Sequence, residues 1–299
     1  MEEIKALKAI EQVVNTSEDV RINFANLKRM AKGLINKKKK HWTEECPIDL
    51  SEFDEREKIA FMFVFNSISF SYWGHPKWSS GYERGTWSMI NSIKTAFDQG
   101  KPILNPDYLS EISEDDLEQI LEGNTTIPLF ERRLTILREL GGSIKDYTKF
   151  IYKCNFDALK FVDCLVLRMP SFKDESEYNG EIITFNKRAQ LLSSDLGYLL
   201  GFSNMNRLTA CADYILPMVL RFNHVFEYSP KLENIITNGK ELPSGSKEEV
   251  EIRANTIWAV ELMSRISGKT SMEINDYLWL AGNFIPETQS YHLTRTTAY

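Results

Sequence analysis

Apolar residues recur at helical spacing along most of the 299 residues, and Gly or Pro interrupts the pattern at short intervals. A chain patterned this way folds as a set of short amphipathic helices, so an all-α, mainly helical class is expected. Residues 54–73 carry the strongest case. Asp54 and Glu57 form a possible capping box ahead of the run IAFMFVF, which is apolar on every side and suits a fully buried helix. Further helices are expected over residues 86–99, 113–122, from Pro128 to the Gly141–Gly142 pair, and over 155–169 before Pro170. Only EIITF (residues 181–185) has the β-branched character of a strand, which allows at most a small hairpin; the polar stretch SFKDESEYNG before it reads as a loop. No repeat or flexible linker divides the chain, so residues 1–299 are expected to form one domain; any lobes would be about 1–142 and 143–299.

Charge narrows the partners. The formal net charge of −6 disfavours a protein that grips a nucleic-acid backbone. The run Lys37–Lys40 reads as a solvated helix end, and no stable nucleic-acid binding is expected. No apolar run approaches the roughly 18 residues that span a bilayer, and the charged stretch MEEIKALKAIEQ is unlike a signal peptide. A cytoplasmic monomer with no membrane association is the expectation. Cys46, Cys154, Cys164 and Cys211 show no CxxC pairing and read as reduced core residues rather than as disulfides or metal ligands.

Three charges break the apolar pattern. In a helix starting near Phe185, the core face holds Phe185, Ala189, Leu192, Leu196 and Leu199, and Lys187 points about 200° away from Phe185, toward solvent. The stretch RLTACADYILPMVLRF reads as one helix in which Asp213 is nearly the only charge. Its carboxylate should have a raised pKa or a partner such as Lys187. Pro217, four residues later, removes the hydrogen bond to the Asp213 carbonyl and should kink the helix there. Glu261 falls on the stripe of Val250, Ala254 and Ile257, behind a Ser246–Glu249 capping box, and reads as a buried partner for Arg253 or Arg265, with a direct catalytic role as the alternative.

At these residues the chain resembles the queuosine salvage protein family. NKRAQLLSSDL, LTACADYILPMVL and EVEIRANTIWAVEL look like its signature blocks. SISFSYW, GKPILNPDYL, IPLFERRLTILRELG, MPSFKD and YHLTRTTAY agree in order and spacing. The resemblance implies a helical fold similar to DNA glycosylases and a glycosidase, free of metal and cofactor, that cleaves queuosine 5′-phosphate and frees queuine for reuse in tRNA. It places the catalytic aspartate at Asp213 and the lysine of the KRAQ block at Lys187. Phe70, Trp73 and Phe172 become candidate base-binding aromatics, and Asp174 and Glu251 candidate acceptors for the base's N–H groups. Lys187 with Arg295 are candidates for the 5′-phosphate, and Arg253 and Glu261 complete the candidate substrate-binding set. Ile215, Met218, Asn186, Ser69 and Ala298 depart from the family pattern. Two rival readings are a glycosylase acting on a base within DNA or tRNA, disfavoured by the acidic charge, and a non-enzymatic helical scaffold with a buried ion-pair network.

Overall fold

A computed structural model describes residues 5–286 and 288–299. In chain order its elements are α1 (Lys5–Thr16), β1 (Val20–Ile22), α2 (Phe24–Leu34), α3 (Glu55–Ile68), α4 (Gly85–Asp98), α5 (Pro106–Glu111), α6 (Glu114–Ile120), α7 (Phe130–Ser143), α8 (Tyr147–Lys153) and α9 (Ala158–Arg168). There follow β2 (Glu175–Tyr178), β3 (Glu181–Thr184), α10 (Lys187–Leu200), α11 (Ile215–Phe222), β4 (Phe226–Tyr228), α12 (Pro230–Thr237), α13 (Lys247–Ser267) and α14 (Ser271–Ala281). The fold is therefore mainly α, with two small antiparallel sheets. No helix among the described residues is long and apolar enough to cross a membrane.

The chain forms two compact units. The first takes the residues up to Glu44, Asp174–Lys187 and Asn204–Arg295; the second takes Glu45–Lys173, Arg188–Ser203 and Thr296–Tyr299. At the centre of the first unit lies α13, packed against α1, α2, α11, α14 and β1. Every residue from Glu249 to Ile257 is buried, so this helix is enclosed on all sides rather than along a single stripe. Ile252, Ala259, Val260 and Met263 join one core with Leu27, Leu216, Val219 and Ile274. Val250, Ala254 and Ile257 join another with Leu7, Ile10, Ile183 and Phe185. Each fully buried aliphatic side chain contributes roughly 1.5–3 kcal/mol, enough together to hold the charged Glu249, Glu251 and Arg253 in the same interior.

In the first unit β1 pairs with β4, Val20 opposite Tyr228, and β2 pairs with β3, Glu175 opposite Thr184. Asn179 and Gly180 close the β2–β3 hairpin with φ of 51° and 85°. Two left-handed residues suit the right-handed twist of the strands, and Asn-Gly adopts them readily. The stretch expected to be loop thus contains a strand. Asn-Gly signals that turn, but Glu175–Tyr178 is too polar to read as β.

In the second unit α3 is the enclosed helix, buried from Ile59 to Ile68. The expected capping box is present: Asp54 Oδ1 accepts from Glu57 N, and Glu57 Oε2 from Asp54 N, both at 2.8 Å. Phe63 stacks on Tyr147 at 4.6 Å and meets Phe161 edge-on at 5.9 Å. Gly141 does not end α7, which runs to Ser143. It is needed because a Cβ there would strike the backbone of α5 at Pro106 and Ser110. None of the four cysteines is in a disulfide; Cys154 and Cys211 are buried as expected, whereas Cys46 and Cys164 are only partly buried, and Lys37–Lys40 are exposed.

Candidate active site

Asp213 does not lie inside a helix. The residues before α11 run as an irregular segment in which Leu208–Asp213 are all buried. Asp213 itself is 6 % exposed. Its Oδ1 accepts from Ile215 N at 2.8 Å and Leu216 N at 2.9 Å, so the carboxylate closes the start of α11. The expected kink is absent for the same reason. Pro217 is the third residue of α11, where a backbone N–H has no intrahelical acceptor and its loss costs nothing. Two N–H donors and the positive end of α11 stabilise negative charge at Oδ1 and fix the carboxylate plane. The segment is tied down on three sides: Cys211 N donates to Asn275 Oδ1 at 2.9 Å, Ala212 O accepts from Arg253 Nε at 3.3 Å, and Cys211 Sγ lies 3.6 Å from Lys187 O.

That last contact brings Lys187 beside the segment carrying Asp213. The β2–β3 hairpin delivers it. At the hairpin base Asp174 N donates to Asn186 Oδ1 at 3.1 Å, and Asp174 O accepts from Phe185 N and Asn186 N at 2.9 and 3.1 Å. Asn186 takes φ 47°, which turns the chain into α10, and Asp174 Oδ2 accepts from Lys187 N at 3.1 Å. The helix therefore starts at Lys187, and because α10 is buried on nearly every side from Lys187 to Gly197, the expectation of a solvent-facing lysine fails: Lys187 is 8 % exposed. The expected ion pair with Asp213 is not formed, and its Nζ has no hydrogen bond or ion pair among the described residues. An anion arriving from outside would supply that nitrogen's partner.

The other charged candidates of the first unit are engaged within the protein. Arg253, 1 % exposed, grips Asp174 through both ends of its fork, Nη1 to Oδ1 at 2.9 Å and Nη2 to Oδ2 at 2.6 Å. Glu249 Oε1 stands 3.5 Å from Nη1. Glu249 also accepts from Gly245 N rather than Ser246 N, so only half of the expected capping box forms. The Glu251 carboxylate accepts from Glu18 N, from Asp19 N at 2.7 Å and from Tyr178 OH at 2.9 Å, pinning the turn between α1 and β1. Glu261 is half-buried and pairs with Arg265 at 3.1 Å, not with Arg253, because it lies beyond the enclosed part of α13. Arg295 is about half exposed and pairs with Glu241 at 2.8 Å.

In the second unit Phe70, Trp73 and Phe172 are all buried. The Arg133 guanidinium lies 4.2 Å from the Phe70 ring; that of Arg188 lies 5.2 Å from Phe70 and 4.7 Å from Phe172. Arg188 also donates to Ser67 O at 2.5 Å and to Ser171 O, and Arg133 to Phe70 O and Pro128 O. Cations thus occupy the surroundings of these rings.

The sequence reading passed over several residues. Asp276 is a further buried carboxylate. Its Oδ1 accepts from Asn275 Nδ2 at 3.2 Å, and Asn275 holds Cys211 N, so α14 braces the Asp213 segment. Tyr214, next to Asp213, stacks on Tyr291 at 4.9 Å. The buried His292 has its pKa lowered to about 3, first by burial and then by the Arg253 charge. An Asn-Asp pair on a helix offers a weak signal; Tyr291 and His292 open the YHLTRTTAY block of the resemblance, which assigned neither of them a role. No group of three or more His, Cys, Asp or Glu suited to a metal ion occurs among the described residues.

Comparison with known proteins adds the family. The chain is 38 % identical over 268 residues to the queuosine 5′-phosphate N-glycosylase/hydrolase of Sphaerobacter thermophilus, covering 82 % of this chain and 83 % of that one. It is 30 % identical over 275 residues to the protein of the same name from Mus musculus, covering 84 % and 81 %, and 29 % identical over 306 residues to that from Bos taurus, covering 89 % of each. The family model described as queuosine salvage protein matches residues 50–299, a span that includes Asp213, Lys187 and the helices that hold them, and the chain belongs to that family.

Proposed function

We propose that this chain hydrolyses the N-glycosidic bond of queuosine 5′-phosphate and releases queuine. Membership of the family and the names of its relatives support the substrate. The observation that carries the chemistry is the fixed, buried Asp213 carboxylate beside a segment that ends in the buried, unpaired Lys187.

Breaking the ribosyl C–N bond builds positive charge at C1′. A carboxylate held in place before the reaction stabilises that charge without reorganising. In this reading Asp213 does so and orients the attacking water. The electron pair of the broken bond leaves on the base nitrogen, which takes up a proton, and the water oxygen bonds to C1′. Queuine is a 7-deazaguanine, so it lacks the N7 whose protonation helps an ordinary purine to leave. More of the stabilisation then falls on the carboxylate. Lys187 supplies the cation for the 5′-phosphate, whose oxygens satisfy an ammonium that has no partner among the described residues.

Incubation with queuosine 5′-phosphate, queuosine, GMP and inosine, followed by chromatography of free base, tests the reading. Queuine is expected from the first, less from the second, and no base from GMP or inosine, since removing either recognised group removes transition-state stabilisation. Release of guanine or hypoxanthine but not queuine would overturn the substrate.

A further inference from the structure

Arg253 is the point at which the two chain segments bearing Asp213 and Lys187 meet. Its three nitrogens diverge from a planar guanidinium stacked 3.9 Å from the Phe185 ring. Nε donates to Ala212 O, the carbonyl immediately before Asp213, at 3.3 Å. Nη1 and Nη2 donate to the two oxygens of Asp174 at 2.9 and 2.6 Å. Asp174 in turn accepts from the backbone N–H of Lys187 at 3.1 Å and closes the base of the hairpin through Phe185 and Asn186. Glu249, one turn earlier on α13, faces Nη1 at 3.5 Å as a second carboxylate on the same guanidinium.

We infer that Arg253 is a positioning residue that sets the spacing between the Asp213 carboxylate and the Lys187 ammonium, rather than a group that touches substrate. The inference rests on the glycosidase reading above and adds to it the device that aligns its two charged groups. Three features carry it. Its donors are directed at protein acceptors. Phe185 lies against its plane. It projects from the fully enclosed part of α13, so the strut has a rigid base. A lysine cannot replace it, because a single ammonium on a flexible stem cannot satisfy acceptors in three fixed directions at once. A displacement of about 1 Å between reacting groups is enough to slow a reaction on the order of 100-fold.

The test is steady-state kinetics of Arg253→Lys and Asp174→Asn on queuosine 5′-phosphate beside the parent and Asp213→Asn, with the thermal midpoint measured for each. Asp174→Asn keeps the shape and an acceptor oxygen, and so supplies a folded variant if Arg253→Lys unfolds. Both are expected to lower kcat at least ~10-fold with KM within about threefold, the pattern of misaligned groups acting on normally bound substrate. Parental kcat in a folded variant would overturn the inference, as would a rise in KM at unchanged kcat, which would make Arg253 a substrate ligand. If the parent releases no queuine, the glycosidase reading fails instead. If the parent is active and Asp213→Asn is not, while Arg253→Lys turns over normally, only the positioning role fails.

Discussion

Replacing Asp213 with Asn removes its charge but not its place, because the amide oxygen still accepts from Ile215 and Leu216 N–H. The expected result is a folded protein with at least ~100-fold lower turnover, the scale of losing one electrostatic stabiliser. Near-parental queuine release by this variant would remove Asp213 from the chemistry. Lys187→Met separates function from stability in the opposite way. The Lys187 ammonium makes no hydrogen bond or ion pair among the described residues, so its removal costs the fold no polar contact and should leave the thermal midpoint little changed. The loss in kcat/KM should be at least ~10-fold greater for queuosine 5′-phosphate than for queuosine, since a charge-assisted phosphate contact disappears only for the first. Equal losses on both substrates would assign the lysine to Asp213 rather than to phosphate. Asp213 was legible in the sequence as a charge in apolar surroundings, but its partners were not. Lys187 was read as solvent-facing because one apolar stripe was taken as the only interior side, whereas Lys187, Arg188, Ala189 and Leu192 through Gly197 are all buried.

At the scale of elements, the helices with strong punctuation were legible: α3 begins at its capping box, α6 at Ser113, and α9 ends before Pro170. The failures have identifiable causes. In RLTACADYILPMVLRF the apolar spacing is compatible with a helix throughout, yet the carboxylate competes for the backbone N–H groups and starts the helix after itself. The β1–β4 sheet joins three-residue strands about 200 positions apart, which no local pattern can reveal. Pro217→Ala distinguishes the two readings of α11. With Pro217 in the first turn, the substitution should destabilise by no more than about 1 kcal/mol, from the freer unfolded chain. In a kinked helix interior, restoring the lost hydrogen bond would stabilise by up to about 3 kcal/mol. A clear rise in the thermal midpoint would therefore count against the observed helix start.

Over the whole molecule, neither unit is one continuous stretch: the chain passes from one to the other after Glu44, Lys173, Lys187, Ser203 and Arg295. No linker marks these passages, since both units draw on the same short amphipathic helices, and one passage falls inside α10 itself. Sequence composition therefore carries no trace of them. Stability against pH is a property at this scale, and His292 gives it a defined acid side. The imidazole is buried in the first unit and stays neutral in the folded chain down to about pH 3, whereas in the unfolded chain it protonates below roughly pH 6.5. As pH falls between those values the unfolded state binds a proton that the folded state does not, so stability is lost, by up to about tenfold in the folding equilibrium per pH unit. Denaturant unfolding of the parent and of His292→Gln at intervals from pH 7 to 4 tests this. Gln lowers stability throughout, because the packing is imperfect, but its stability should fall less steeply with acid, by about one proton's worth of slope. Parallel curves for the two proteins would show that the buried imidazole does not govern the acid limb.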